Sequence, residues 1–204
     1  MIYFDDLLKA ADFRQAVEEL AADFRKTHGL PQIHQLGLLV EDVETAAKEL
    51  EARGIGPFFI AAGSPVFWME RGDKKAIQGR LGLAYYQGIE LELLEPLEGS
   101  EFYTRSLDPD GRIVVQQLGF LVDDVETWAD QLTMAGTSLW LLGRLRIGPA
   151  KYDFAYMKPM EEKRNMIIEL ITWRLLGKPI GAPKRLLKTL GKLQKLTGKR
   201  TIRI

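Results

Sequence analysis

The chain of 204 residues contains no cysteine and only two histidines, His28 and His34. The absence of cysteine excludes disulfides, thiolate metal sites and cysteine nucleophiles. No apolar run approaches the roughly 20 residues that are needed to cross a bilayer. The first residues include Asp5 and Asp6 rather than a basic stretch followed by an apolar one, so no secretory signal is expected. We therefore expect a cytoplasmic protein.

The chain has little excess charge of either sign, because 28 basic and 28 acidic residues balance. The balance hides an asymmetry, since the segment from Arg174 to Ile204 holds ten basic residues and no acidic one. Residues 1–173 therefore carry 18 basic against 28 acidic residues, a net charge of −10. An acidic body with a basic tail is the pattern that these counts predict.

The basic tail also predicts an amphipathic helix that begins near Pro183, a favoured first helical position. Its leucines lie close to one face at helical spacing, with lysines around them: Leu186, Leu187, Leu190, Leu193 and Leu196. We expect these leucines to dock on the acidic body or on a homodimer partner. Attachment of residues 184–203 to an anionic membrane surface, or contact with a phosphate-bearing ligand, are alternatives. Nucleic-acid binding is not expected, because no aromatic residues are interleaved for base stacking.

An internal repeat indicates that the chain arose by duplication. Residues 35–45 read QLGLLVEDVET and residues 117–127 read QLGFLVDDVET, with nine of eleven positions identical. Each copy has a run of strand-forming residues, then an acidic pair suited to a helix N-terminus, then apolar residues at helical spacing. Gly54 and Gly136 lie where these two helices are expected to end.

Three further strands are predicted after each helix. They are 57–61, 79–86 and 89–94 in the first copy, and 138–145, 152–157 and 166–172 in the second. The predicted organisation is an α+β fold of tandem βαβββ modules, with an added N-terminal helix and a basic C-terminal helix. The expected boundaries are 1–30 for the N-terminal helical extension, 31–106 and 112–174 for the two modules, and 175–204 for the tail.

Residues 31–174 resemble the vicinal oxygen chelate superfamily, which includes glyoxalases, bleomycin-resistance proteins and extradiol dioxygenases. The resemblance rests on the order and spacing of five segments: QLGLLVEDVET, GIGPFFI (54–60), IELELLEPL (89–97), QQLGFLVDDVET (116–127) and NMIIEL (165–170). It implies that the two modules curl into an open barrel-like mixed sheet around a cavity. It also implies a divalent metal held by the first and fourth strands of each module.

Carried over by motif, the implied metal ligands are Gln35, Glu92, Gln117 and Glu169. The superfamily usually has histidine where this chain has Gln35 and Gln117. Two carboxylates and two amide oxygens form an all-oxygen set that suits Mg²⁺, Mn²⁺ or Ca²⁺. Iron dioxygenase chemistry is not expected, since neither histidine falls at a ligand position.

The resemblance implies that Glu92 or Glu169 would act as a general base beside a substrate carbonyl, as in a metal-assisted lyase, isomerase or epimerase. The alternative is a metal-free protein that binds or sequesters a small molecule, as bleomycin-resistance proteins do. In that case Gln35 and Gln117 would satisfy strand backbone.

Other residues are candidates for pairing with the two glutamates or for binding a substrate. A buried glutamate needs a metal, a cation or a raised pKa. The candidate structural partners of Glu92 and Glu169 are Arg80, Arg112 and Arg144. The candidate substrate-binding residues are Tyr85, Tyr156, Arg80 and Arg144. Ordinary strand packing is the alternative for the tyrosines. Strand alternation places His34 on the face opposite to Gln35, unless a one-residue bulge reverses that assignment.

Overall fold

The structure is a computed structural model that describes residues 1–99, 101–159, 166–181 and 183–203. Asn165, the first residue of the NMIIEL segment, lies outside the described residues. The N-terminal extension contains strand β1 (Ile2–Tyr3) and helices α1 (Phe4–Leu8), α2 (Phe13–Glu19) and α3 (Ala22–His28). The extension is therefore helical, but it forms three short helices rather than the single helix expected. Asp12 starts α2 by accepting a hydrogen bond from the backbone N–H of Gln15 at 2.9 Å.

The first module has the predicted order of one strand, one helix and three strands, with a hairpin inserted after the second strand. Its elements are β2 (Gln35–Leu39), α4 (Val43–Ala52), β3 (Phe59–Gly63), the hairpin β4 (Phe67–Glu70) and β5 (Asp73–Lys74), β6 (Gln78–Tyr86) and β7 (Ile89–Glu98). A short helix, α5 (Glu101–Thr104), follows it.

The second module repeats this order without the hairpin. Its elements are β8 (Val114–Leu121), α6 (Val125–Met134), β9 (Thr137–Ile147), β10 (Ala150–Pro159) and β11 (Ile167–Leu175). The remaining elements are β12 (Lys178–Ile180), α7 (Lys184–Thr197) and β13 (Thr201–Arg203). The duplicated βαβββ organisation predicted from the repeat is thus confirmed.

Both repeat helices begin and end as their sequence predicts. Asp42 and Asp124 are the N-caps, and each side chain accepts a hydrogen bond from the backbone N–H of the threonine three residues later. Gly54 and Gly136 follow the helix ends with φ angles of 82° and 93°, a left-handed conformation that glycine adopts without strain.

The strands form one sheet that curls on itself. The main path runs β13-β3-β6-β7-β2-β8-β11-β10-β9-β4-β5, with β1 paired to β8 and β12 to β11. Strands β3 and β4 lie near opposite ends of this order, yet residues 64–66 alone connect them. Three residues reach about 10 Å, whereas eight strand spacings in a flat sheet would cover about 38 Å. The sheet is therefore an open barrel-like surface, as expected.

The two faces of the sheet have different partners. Helices α4 and α6 cover the outer face, where one apolar cluster includes Leu36, Leu91 and Leu118. Side chains that alternate with these residues point to the inner face, which holds Leu39, Tyr152 and Phe154 in a second cluster. The inner face is the one that carries Gln35, Glu92, Gln117 and Glu169.

The basic tail docks on the first module. Leu187 of α7 is buried against Phe59 and Leu83, and Gln194 bonds to both the backbone N–H and C=O of Ile60 at 2.8 Å. Strand β13 then pairs with β3 in parallel. The leucine stripe is only partly buried, because Leu186, Leu193 and Leu196 are exposed. None of the described helices is long and apolar enough to span a membrane.

Candidate functional site

The glycines of the repeated QLG segments make room for the two glutamines. In the antiparallel pair of β2 and β8, Gly37 faces Gln117 and Gln35 faces Gly119. A Cβ atom at Gly37 would overlap the side chain of Gln117, and one at Gly119 would lie 2.8 Å from Cβ of Gln35. Each glutamine therefore crosses over the glycine of the other copy, which places both amides at the centre of the inner face.

Gln117 joins the two candidate carboxylates. Its Nε2 donates to Oε2 of Glu92 at 3.3 Å and to Oε2 of Glu169 at 3.1 Å. The same nitrogen lies 2.8 Å from the hydroxyl of Tyr156, and the hydroxyl of Tyr152 donates to Oε1 of Glu169 at 3.2 Å. The structure therefore brings Glu92, Gln117 and Glu169 together around one amide nitrogen.

Both carboxyl groups are buried without a basic partner among the residues that the structure describes. Glu92 is 5% exposed and Glu169 is 1% exposed. Burial, together with the negative charge of Glu90, raises the pKa of Glu92 to about 8 despite the hydrogen bond from Gln117. Burial and the charge of Glu92 raise the pKa of Glu169 well above its usual range. Two acids this close cannot both ionise at low cost unless a cation joins them.

The arginines considered as partners bind elsewhere in the described structure. Arg80 pairs with Asp42 and Glu95, and Arg112 pairs with Asp108. Arg144 pairs with Asp153 on the adjacent strand. Glu92 and Glu169 make no ion pair with any described lysine or arginine, so none of these three arginines accounts for their burial.

Gln35 belongs to a neighbouring group of polar side chains. Its Nε2 donates to Oε1 of Glu90 at 2.8 Å, and Tyr85 donates its hydroxyl to Oε2 of Glu90. His34 Nε2 lies 3.9 Å from the same carboxyl group. Burial, then the charges of Lys184 and Arg14, lower the pKa of His34 to about 4, so this histidine is neutral at neutral pH. Burial raises the pKa of Glu90 despite its two hydrogen bonds.

A cavity with about 730 Å³ of empty volume, including the part that opens to solvent, lies over Glu92 and Glu169. Arg80 and Tyr156 line it, whereas Tyr85 and Arg144 are not among its described lining residues. Its aromatic lining consists of Trp68, Tyr103, Tyr152, Phe154 and Tyr156. A smaller neighbouring cavity of about 240 Å³ is lined by Gln35, Glu90 and Glu92 among others. Apolar walls around a few convergent polar groups are typical of small-molecule sites.

Two site residues were missed at the level of sequence. Glu90 is fully buried on the same face as Glu92, and the alternation in IELELL that places Glu92 inside also applies to Glu90. Tyr103 lies on α5, between the modules, and its hydroxyl is 2.7 Å from that of Tyr156. No local pattern marks Tyr103, because its approach to Tyr156 depends on how the two modules pack.

The donor set fits a hard divalent cation. The described residues contain no group of three or more His, Cys, Asp or Glu arranged for a metal, so amide oxygens would have to complete any site. Within the described part of the chain, Oε1 of Gln35 and Oε1 of Gln117 are both buried without a hydrogen-bond partner. Two carboxyl groups without a described counter-charge, and buried amide oxygens of this kind, are features that a Mg²⁺ or Mn²⁺ ion satisfies.

No family model and no curated protein matches the sequence. Among solved structures, methylmalonyl-CoA epimerase from Mycobacterium tuberculosis is 20% identical over 70% of this chain and 87% of its own, with a TM-score of 0.48. A triple mutant of 4-hydroxymandelate synthase from Streptomyces coelicolor is 17% identical, over 83% of this chain and 56% of its own, with a TM-score of 0.49. A second methylmalonyl-CoA epimerase is 18% identical over 68% of this chain and 92% of its own, with a TM-score of 0.41.

Proposed function

We propose that this chain is a divalent-metal-assisted lyase, isomerase or epimerase that moves a proton next to a carbonyl group of a small substrate with two neighbouring oxygens. The observation that carries the proposal is the pair of buried carboxyl groups, Glu92 and Glu169, which line one cavity without a described basic partner. Placing charge in an apolar site is costly, and strongly shifted carboxyl groups in a cavity are typical of functional sites.

The protein groups supply proton transfer and orientation. Glu92 lines the cavity beside Gln117, where its carboxylate could accept a substrate proton and return it. Gln117 holds both carboxyl groups through one nitrogen, so the acid and the base would act from fixed positions. The hydroxyl of Tyr156, 2.8 Å from that nitrogen, is placed to contact a substrate oxygen in the cavity.

Gln117 could add its oxygen only with its amide reversed, because its Nε2 faces both carboxyl groups. Glu92, Glu169 and Gln35 would hold a divalent ion, which polarises a carbonyl and stabilises an enolate as a Lewis acid when it is bound. Their combined formal charge of −2 would neutralise the ion, so the pair of acids could ionise together. The aromatic walls limit access of water to this region, which strengthens electrostatic interactions within it.

The proposal is tested by titrating chelator-treated protein with Mn²⁺ in a calorimeter. We expect one ion per chain for the unaltered protein and no binding for the Glu92→Gln, Glu169→Gln double variant, which keeps the shape of both side chains. Glu98→Gln is the matched control, because Glu98 lines the same cavity but is exposed at its rim. Failure of the unaltered protein to bind Mn²⁺, Mg²⁺ or Ca²⁺ would refute the metal-assisted reaction.

The proton transfer itself is tested by exchange in D₂O. The metal-loaded protein should exchange the hydrogen beside the carbonyl in some members of a panel of 2-hydroxy ketones, hemithioacetals and acyl thioesters, as followed by NMR. Glu98→Gln should retain the exchange, and the double variant should lose it. Equal exchange with and without protein across the panel would count against a lyase, isomerase or epimerase.

A second candidate is a metal-free protein that binds or sequesters a small molecule. The orientation of Gln117 favours it, because the amide turns its nitrogen rather than its oxygen toward Glu92 and Glu169. The aromatic lining would then provide most of the binding surface. Retention of a ligand after exhaustive chelation would support this candidate, while loss of the ligand on chelation would support the metal-assisted reaction.

A further inference from the structure

The two glutamines of the repeat have the same place in the sequence but different partners in the structure. Gln117 directs its Nε2 to Glu92 and Glu169. Gln35 donates its Nε2 to Oε1 of Glu90 at 2.8 Å instead. The amide groups of an almost identical segment are therefore presented to the site in different ways.

The two modules differ at the fourth-strand position aligned with each glutamine. In the parallel pair of β2 and β7, Gln35 is aligned with Glu90. In the parallel pair of β8 and β11, Gln117 is aligned with Ile167. Glu90 and Ile167 are equivalent positions of the two modules, just as Glu92 and Glu169 are. The first module has an acceptor beside its glutamine, and the second has an apolar side chain.

We propose that Glu90 is a positioning residue that turns the amide of Gln35 so that its oxygen is offered to a divalent cation, while Gln117 offers its nitrogen to the two carboxyl groups. This inference rests on the proposed function, since it assigns unequal roles to two residues of the proposed metal site. Of the two glutamines, Gln35 is then the one that provides an oxygen ligand to the cation.

The contacts of Glu90 explain why only one orientation of Gln35 is favourable. Oε1 of Glu90 accepts from Gln35 and Oε2 accepts from Tyr85, so both oxygens act as acceptors. A reversed amide would lose the hydrogen bond from Nε2 of Gln35 to Oε1 of Glu90, and its oxygen could bond there only to a protonated carboxyl group. Glu90 is fully buried, so bulk water does not compete for its oxygens.

The oxygen that this orientation leaves free lies beside the strand pair that carries Glu169. Oε1 of Gln35 lies 3.0 Å from the position that a Cβ atom of Gly119 would take, and Gly119 is aligned with Glu169 on the adjacent strand. This oxygen is buried and makes no hydrogen bond within the described structure. A buried acceptor without a donor is unfavourable, and a cation shared with Glu169 would satisfy it.

The first test replaces Glu90 by isoleucine, the residue type at the equivalent position of the second module. Glu90→Ile should weaken Mn²⁺ binding by about 10- to 100-fold, the usual effect of losing a group that orients a metal ligand. Glu90→Gln should restore most of the affinity, because its amide oxygen can still accept from Gln35. Tyr85→Phe, which leaves the contact between Glu90 and Gln35 in place, is the control and should have a much smaller effect.

A double-mutant cycle separates positioning from a general structural role. If Glu90 acts through Gln35, then Glu90→Ile should cause no further loss of Mn²⁺ affinity in a Gln35→Ala background. A metal-free readout is the side-chain amide signal of Gln35 in a ¹H–¹⁵N NMR spectrum, identified by its disappearance in Gln35→Ala. This signal should shift and exchange faster with solvent in Glu90→Ile.

The outcomes distinguish the inference from the proposed function. Unchanged Mn²⁺ affinity in Glu90→Ile, with normal binding by the unaltered protein, would overturn the role of Glu90 and leave the metal site intact. No Mn²⁺ binding by the unaltered protein would overturn the proposed function and the cation role of Gln35 together. An unchanged Gln35 amide signal in Glu90→Ile would overturn the positioning itself, whatever the metal result.

Discussion

Replacing Glu92 by glutamine is expected to stabilise the metal-free protein at alkaline pH and to flatten the dependence of its stability on pH. The folded state raises the pKa of Glu92 from 4.5 to about 8, mainly through burial. Between these two values the folded chain retains a proton that the unfolded chain releases. The free energy of unfolding must therefore fall as the pH rises through this window.

The size of the effect follows from the two pKa values. Each pKa unit corresponds to about 1.4 kcal/mol, so the contribution of Glu92 amounts to about 5 kcal/mol across the whole window. A domain of this kind has a total stability of about 5–15 kcal/mol. The loss begins as the pH approaches 4.5 and reaches its full size only above pH 8. Glu169 adds a loss of the same sign, because burial and the charge of Glu92 raise its pKa as well.

The assay is urea denaturation in the presence of a chelator at intervals between pH 5 and pH 8.5, with unfolding free energies obtained by linear extrapolation. Glu92→Gln should be more stable than the unaltered protein at pH 8.5 and should show a shallower slope. Glu98→Gln, at the exposed rim of the same cavity, should follow the unaltered protein. Added Mn²⁺ should restore stability at pH 8.5 only where both carboxyl groups are present. Parallel stability curves for Glu92→Gln and the unaltered protein would refute the reasoning.

Three further test substitutions, two of them with a control substitution, examine the fold by urea denaturation. Gly37→Ala should lower the free energy of unfolding by about 1–3 kcal/mol through overpacking, because its Cβ would overlap a glutamine side chain. Gly181→Ala should be neutral, because nothing lies within 4 Å of the added Cβ. Equal effects would contradict the crossing of the two glutamines. Leu187→Ala should lower the free energy of unfolding by about 2–4 kcal/mol. Leu196→Ala alters a side chain that is 85% exposed and should change it by no more than about 0.5 kcal/mol. The reverse order would show that α7 docks differently. Asp124→Ala should cost about 1 kcal/mol by removing a helix N-cap, and no loss would argue against that cap.

Local patterns predicted the repeated elements well. Strands β2 and β8, the aspartate N-caps of α4 and α6, and the glycines that follow these helices lie where the duplicated segment places them. These features depend on periodicity and on hydrogen bonds between residues a few positions apart, so a short window of sequence contains the whole interaction.

Features that depend on distant contacts were not predictable in the same way. The segment 64–75 crosses to pair β4 with β9 of the second module, and β13 adds to the free edge of β3. Only part of the leucine stripe of α7 is covered, because Leu187 contacts the sheet while Leu193 remains exposed. The helical spacing shows which leucines share a face, but the angle at which the helix docks decides which of them are buried.

The sequence by itself determined that the chain is a duplicated βαβββ protein and that Gln35, Glu92, Gln117 and Glu169 occupy matching strand positions. The tertiary structure alone decided that Gln117 joins the two carboxyl groups and that Gln35 turns to Glu90. The physical reason is that a repeat fixes where each side chain leaves its own strand. The neighbouring strands decide which donors and acceptors it meets there.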